Sequence, residues 1–434
     1  MKRTMLTLGR PIFILLAAAS LAAAVPQEPT PFLGEWKGTV ELGMKLDLTF
    51  HFYRGADGAF AGAMDVPATN ALGQAVAGLK AEGRTVSFSL PMGAVLKGTL
   101  DESGKTMAMT WSMNGRDADF VLVKTASGEN YAPPVVAPAD LSKFSGPYLG
   151  QKPPGTTPEP FNVPSQIGGP VLSPDGSELI FRESSGRPRL VFSRLENGRW
   201  TEPRAAGFSG GDLNYSTDGR KLFFVSNDPL QKDVPLFDHL DLWVVQRTET
   251  GWSEPASLGP PVNSEQHECW ASAAGNENLY FFRSGGGKAR TEPGGVMVGP
   301  DPGGKPGEAD IYHSKFAGGR YGAPEKLGPE VNSDAADIDP AIASDESCLI
   351  FQSNRPGGFG LMDLYISFRN TDGSWTPAVN MGDKINSAGS ESSPRLSADG
   401  KYLFFNKANP QTRTGGRYWV NTEIFEQLRK TAGK

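Results

Sequence analysis

One turn signal returns in phase along this chain, and it constrains the fold more than any other feature. Residues 171–181, 214–224, 341–351 and 395–405 each carry a short run, a turn built on Asp175, Asp218, Asp345 or Asp399, and an apolar run that ends in Phe. A degenerate copy spans 270–282, with Gly275 and Asn276 near its turn. Asp-Gly in this setting is expected to supply the positive-φ residues of a tight hairpin. The turn aspartates are separated by 43, 127 and 54 residues, the middle gap being two periods plus a Gly-Pro-rich insertion at 285–307. Repetition at this period marks radially packed units, not an ordinary sandwich.

Two further elements keep the same phase. Asp241, Asp310 and Asp363 each open an apolar strand, and a Gly-x-Trp element recurs at Trp200, Trp252 (one residue shorter) and Trp375, with Tyr321 in its place in the third copy. A Leu-Gly-x-x-Val-Asn tail follows at 258–263 and 327–332, with 381–386 a close variant. Each unit is therefore four strands, and five such units predict an all-β, five-bladed β-propeller over 159–428. Six blades are the alternative, although no sixth turn motif is found. The fifth unit lacks its outer strand, so closure of the ring is expected to borrow one from 156–163 and remove an open edge.

These repeats, over roughly 145–425, resemble the TolB-type WD-like propeller family of exported bacterial proteins. The resemblance implies a binding scaffold of the cell envelope. Residues 30–126 differ in texture, alternating with period two in segments such as 45–52, 86–90, 106–111 and 120–123. Seven or eight antiparallel strands in that length suit a small β-barrel. The opening Gly34-Glu-Trp36 is similar to the first strand of calycin or lipocalin-like barrels. The inward residues either fill a core or surround a ligand. Residues 127–158, rich in Pro and Gly, read as a linker.

The chain begins with Lys2, Arg3 and Arg10, an apolar run at 12–21, and Ala22 to Ala24, the pattern of a cleaved signal peptide over 1–24. Its removal takes away three positive charges and no negative ones, moving the formal net charge from −6 to −9. That balance argues against a nucleic-acid partner. No later run suits a membrane span in the mature chain. A periplasmic or secreted location follows, and Cys269 and Cys348 are expected to be free, buried thiols.

The chemistry-bearing residues are few. No zinc spacing, nucleophile elbow or phosphate loop occurs, so no catalytic residue is assigned. Acids do recur early on each innermost strand. Asp212, Glu268, Asp337, Asp339 and Glu391 are expected at the mouth of the central channel, with Trp270 beside them as a stacking surface for a sugar ring. Residues two apart on a strand share a face, so Asp337 and Asp339 should point the same way. Such acids either bind a ligand or a hard cation such as calcium, or tie blades together. No cofactor is otherwise implied. The leading reading is a non-catalytic scaffold that binds an envelope protein or glycan. The alternative is a glycoside-hydrolase-like enzyme using the channel carboxylates. Arg355 and Arg369 read as surface charges.

Overall fold

The computed structural model describes residues 31–432, apart from 43–44, 56, 67–70, 91–93, 114–115, 132–138, 165–166, 184–188, 228–238, 286–289, 293–295, 299–308 and 409–414. The segment at 1–24 and most of the insertion at 285–307 lie outside the described residues.

The N-terminal part is one antiparallel sheet of nine strands. Gly34–Glu41 lies centrally between Lys45–Arg54 and Arg116–Ala126, and the remaining strands run outward to edges at Ala71–Ala75 and Ala77–Glu82. Val76, between those edges, donates to the Gly62 carbonyl at 3.0 Å, so the sheet is nearly closed. Along Lys45–Arg54 the alternation turns Leu48, Phe50 and Phe52 inward, where they meet Trp36, Phe88, Met107, Met109, Trp111 and Leu122 as one packed cluster. The count exceeds the expected seven or eight because Phe60–Val66, Ala71–Ala75 and Ala77–Glu82 are rich in Ala and Gly. Such residues write a faint strand pattern.

The C-terminal part is a five-bladed propeller. Blade I holds Ile167–Leu172, Glu178–Glu183 and Arg189–Glu196, with Arg199–Trp200 and Arg204–Ala205 outside them. Blade II holds Gly211–Tyr215, Lys221–Ser226, Asp241–Gln246 and Ala256–Ser257. Blade III holds His267–Ala273, Leu279–Ser284, Ala309–Ser314 and Glu325–Lys326. Blade IV holds Asp337–Ile342, Cys348–Ser353, Asp363–Phe368 and Val379–Asn380. Blade V holds Ser390–Leu396, Tyr402–Ala408 and Gly415–Asn421, completed by Glu159–Pro160 from before blade I. Glu159 faces Trp419 and Pro160 faces Tyr418, so the expected borrowed strand closes the ring.

Apolar packing between neighbouring blades holds the ring together. Leu222 and Phe224 of blade II pack on Ile180 and Phe192 of blade I. Phe282 and Leu279 of blade III pack on Phe223 and Leu242 of blade II, and the remaining neighbours share equivalent clusters. Blade V meets blade I through Phe404, Trp419, Leu179 and Phe181. Leu141, Leu149 and Phe161 join that last cluster, so part of the expected linker is packed against the propeller rather than solvated. Cys269 and Cys348 are free and buried.

The repeated motifs acquire physical roles. Ser173, Ser216 and Ser397 donate to Asp175, Asp218 and Asp399 at 2.6, 2.6 and 2.7 Å, and accept the backbone N–H that opens the next strand. Only the residue after each aspartate is left-handed. Gly176, Gly219 and Gly400 have φ of 70°, 69° and 67°, and where glycine is missing Glu277 and Glu346 adopt φ of 66° and 59°. The tail asparagines Asn263, Asn332 and Asn386 each bond the backbone N–H and carbonyl of Leu242, Ile311 and Leu364 at 2.8–3.0 Å. They act as a buried substitute for strand pairing. Asn332→Ala should therefore cost about 1–3 kcal/mol in urea unfolding, because it strands the buried Ile311 N–H and takes the Asn332 amide from the Leu327 carbonyl, while the Ile311 carbonyl keeps the Leu327 N–H. A loss below about 0.5 kcal/mol, the range of an ordinary surface change, would contradict this role.

Candidate binding site in the axial channel

The innermost strand of every blade carries a bulge at the same place. Pairing with the second strand slips between Gly168 and Val171, Gly211 and Asn214, Cys269 and Ser272, Ile338 and Ala341, and Ser392 and Arg395. The first bulged residue is left-handed in all five blades: Gly169 at φ 55°, Asp212 at 47°, Trp270 at 55°, Asp339 at 54° and Ser393 at 58°. Such bulges re-aim a side chain at a local cost, and glycine fills the position best. Two of the five positions carry Asp instead, where conformational ease alone would favour glycine.

This bulge separates the acids that the sequence placed together. Glu268, Asp337 and Glu391 have no solvent-exposed surface. Each accepts the backbone N–H and hydroxyl of a serine four residues earlier, Ser264, Ser333 or Ser387, at 2.5–3.0 Å. Glu268 also pairs with Arg283 at 2.7 Å, Asp337 pairs with Arg355 at 2.5 Å, and Lys407 lies near Glu391, where with the Ser387 bonds it partly opposes the rise in proton affinity that burial causes. The three bases bond the carbonyls of Val262, Val331 and Ile385 in the tails. These acids tie the tail of one blade to the first strand of the next.

Asp337 and Asp339 accordingly do not share a role, as strict alternation had suggested, because the left-handed turn at Asp339 breaks the alternation. Arg355 is not a free surface charge either. Besides its ion pair it stacks on Phe351 and Tyr365 at 5.1 and 4.7 Å. Arg369 likewise stacks on Trp375 at 4.9 Å and donates to the Tyr280 hydroxyl.

Asp212 and Asp339 form the second set, and they come together with a residue the sequence reading missed. Arg395 of blade V donates to the Leu213 carbonyl of blade II at 2.9 Å, which carries it across the channel between non-adjacent blades. Its guanidinium lies over the Trp270 ring of blade III at 4.2 Å. Trp270, expected as a sugar platform, is 4% exposed and serves as the floor for this cation. The signal was present in the repeats: Val171, Asn214, Ser272 and Ala341 occupy the matching positions, so an arginine there is out of pattern. Arg182 of blade I adds a bond to the Gly210 carbonyl at 2.6 Å. Among the described residues no group of three or more His, Cys, Asp or Glu is arranged to hold a metal ion.

Burial dominates the electrostatics of this set. It pushes Asp212 up to about 6, opposed by Arg395 and Arg182, and pushes Asp339 up to about 7, with Asp212 adding to the rise and Arg395 opposing it. Burial also lowers Arg395 to about 10, opposed by the two acids. The acids share one arginine and titrate as a coupled pair. Both have folded values above the ordinary unfolded value of about 4. Their stabilising contribution is thus complete below about pH 4 and is lost as pH rises through about 6 and 7. Asp339→Asn should flatten that loss in thermal melts between pH 4 and 8. Replacing both acids by Asn should cost about 3–5 kcal/mol by leaving Arg395 without a counter-charge. An unchanged pH profile in Asp339→Asn would refute the coupling.

No family model and no curated protein match the sequence. Among solved structures the chain is similar to TolB from Acinetobacter baumannii, at 11% identity over 76% of this chain and 79% of that one, with a TM-score of 0.35. It is similar to an α-L-arabinofuranosidase from Lactobacillus brevis, at 14% identity over 58% and 90%, with a TM-score of 0.34. It is also similar to an α-L-arabinanase from Penicillium chrysogenum, at 13% identity over 78% and 94%, with a TM-score of 0.36.

Proposed function

We propose that this chain is an exported, non-catalytic binding scaffold of the bacterial cell envelope, which engages a protein or glycan on one propeller face. The face is the one where the innermost strands begin and the second and third strands of each blade connect. The observation that carries the reading is an apolar tip in blade IV. Phe359 and Leu361 are 51% and 69% exposed, on a loop held from several sides. Asp363 accepts the N–H groups of Phe359 and Gly360 at 2.5 and 3.1 Å, and Leu361 donates to the Gly389 carbonyl of the next blade at 2.7 Å. A Cβ on Gly360 would come within 2.2 Å of that carbonyl, so only glycine permits this docking. A large apolar side chain presented on a preorganised loop gives up little entropy on binding.

The fate of the acids supports a scaffold over an enzyme, since Glu268, Asp337 and Glu391 are bound up in blade-to-blade contacts. The glycoside-hydrolase reading retains one support, the raised proton affinity of Asp339 beside Asp212. Hydrolysis of arabinan, xylan or peptidoglycan fragments that disappears in Asp339→Asn would favour it. The basic and apolar start of the chain supports export, and no described helix is long and apolar enough to cross a membrane.

The scaffold reading predicts that immobilised wild-type protein captures an envelope protein or glycan. The double variant Phe359→Ser, Leu361→Ser should lose at least tenfold in affinity with little change in melting temperature. Equal capture by both proteins would rule out this face.

A further inference from the structure

The other end of the channel, where the first and second strands of each blade turn, holds a cavity of about 50 Å³. That is room for a few water molecules or one small polyatomic ion. Its walls include Asn214, Thr217, Ser272, Ser344, Arg395 and Arg417, and no carboxylate lines it. The donors around it are short of acceptors. Nε of Arg395, Nε of Arg417 and Nδ2 of Asn214 are buried without a hydrogen-bond partner among the described residues. Asn214 is 5% exposed, so water at the surface does not serve it.

Arg417 is the most telling of the three. Its Nε has no hydrogen-bond partner among the described residues, and the charge that acts on it is the like charge of Arg395. Burial first, and Arg395 second, pull its proton affinity down to about 9. Asp212 and Asp339 act on Arg395 but not on Arg417. A half-buried guanidinium whose Nε is buried and unbonded, beside a second one and with no acid to offset it, is costly unless an anion shares the space. Planar guanidinium donors match the oxygens of phosphate and carboxylate groups.

The geometry points to an oxyanion site at the turn end of the axial channel, held by Arg417, Arg395 and Asn214, that accepts a phosphate, sulfate or carboxylate group. The site stands apart from the apolar tip of blade IV, so either proposal can fail without the other. Ser272 already accepts from the Ile342 N–H at 3.1 Å, which leaves its hydroxyl hydrogen free to point into the cavity. The occupant is either a free inorganic anion or the charged end of a larger ligand entering from the turn face.

Thermal melts and calorimetry on the full chain, with sodium phosphate, sulfate or acetate against chloride at equal ionic strength, test the site. Wild type should gain about 4 °C near saturation with at least one oxyanion, and Arg417→Gln should lose the gain. Asn214→Asp places a carboxylate among the same donors. It should melt higher than wild type without added anion and respond to none, which keeps the test decisive should Arg417→Gln fail to fold. Tighter binding of glycerol 3-phosphate than of inorganic phosphate would uphold the site and mark it as a headgroup pocket, and the reverse order would uphold it as a free-ion site. No oxyanion effect beyond chloride in wild type, or an effect that persists in Asn214→Asp, would overturn the proposal.

Discussion

The burial of both faces of each blade against its neighbours is the constraint on which the rest of this molecule depends. A single blade leaves runs such as residues 279–282, apolar on both faces, with nothing to cover them. A stack of five covers all but its two ends. Closing the ring removes those ends, and Glu159–Pro160 on Gly415–Asn421 is the contact that does so. The axial channel, its bulges and its charges exist only because the first strands converge inside a closed circle.

Closure also explains where the polar groups sit. Between blades, the tail asparagines and the serine–acid–base groupings give the carboxylates of Glu268, Asp337 and Glu391 and the side-chain amides of Asn263, Asn332 and Asn386 their partners. The channel is different. There a left-handed residue in each blade re-aims its side chain, and the blades diverge in what they present: Gly169, Asp212, Trp270, Asp339 and Ser393. Regular joints and a divergent channel are the expected division between a scaffold and a site.

Much of the fold was legible in the sequence because the repeats fix the number of units and their strand order. The missing outer strand of the fifth unit also betrayed the closing segment at 156–163. The nine-stranded sheet was legible in outline, and its Ala- and Gly-rich strands were blurred by weak patterning. The site was legible only in part. The acids were found, but strict period-two alternation could not show that a bulge at Asp339 separates it from Asp337. Nor could it show that Ser264, Ser333 and Ser387 turn their acids into joints. Arg395 stood out of register against Val171, Asn214 and Ala341. Its significance required the channel, because its partners in blades II and III are more than a hundred residues away in the chain.

A cross-link across the closing contact tests the closed ring most directly. Cysteines replacing Pro160 and Tyr418, which face each other in adjacent strands, should form an intramolecular disulfide under mild oxidation and raise the melting temperature of the monomer. Cysteines that stay reduced, or that link only between molecules, would contradict a five-bladed ring completed by the strand that precedes its first blade.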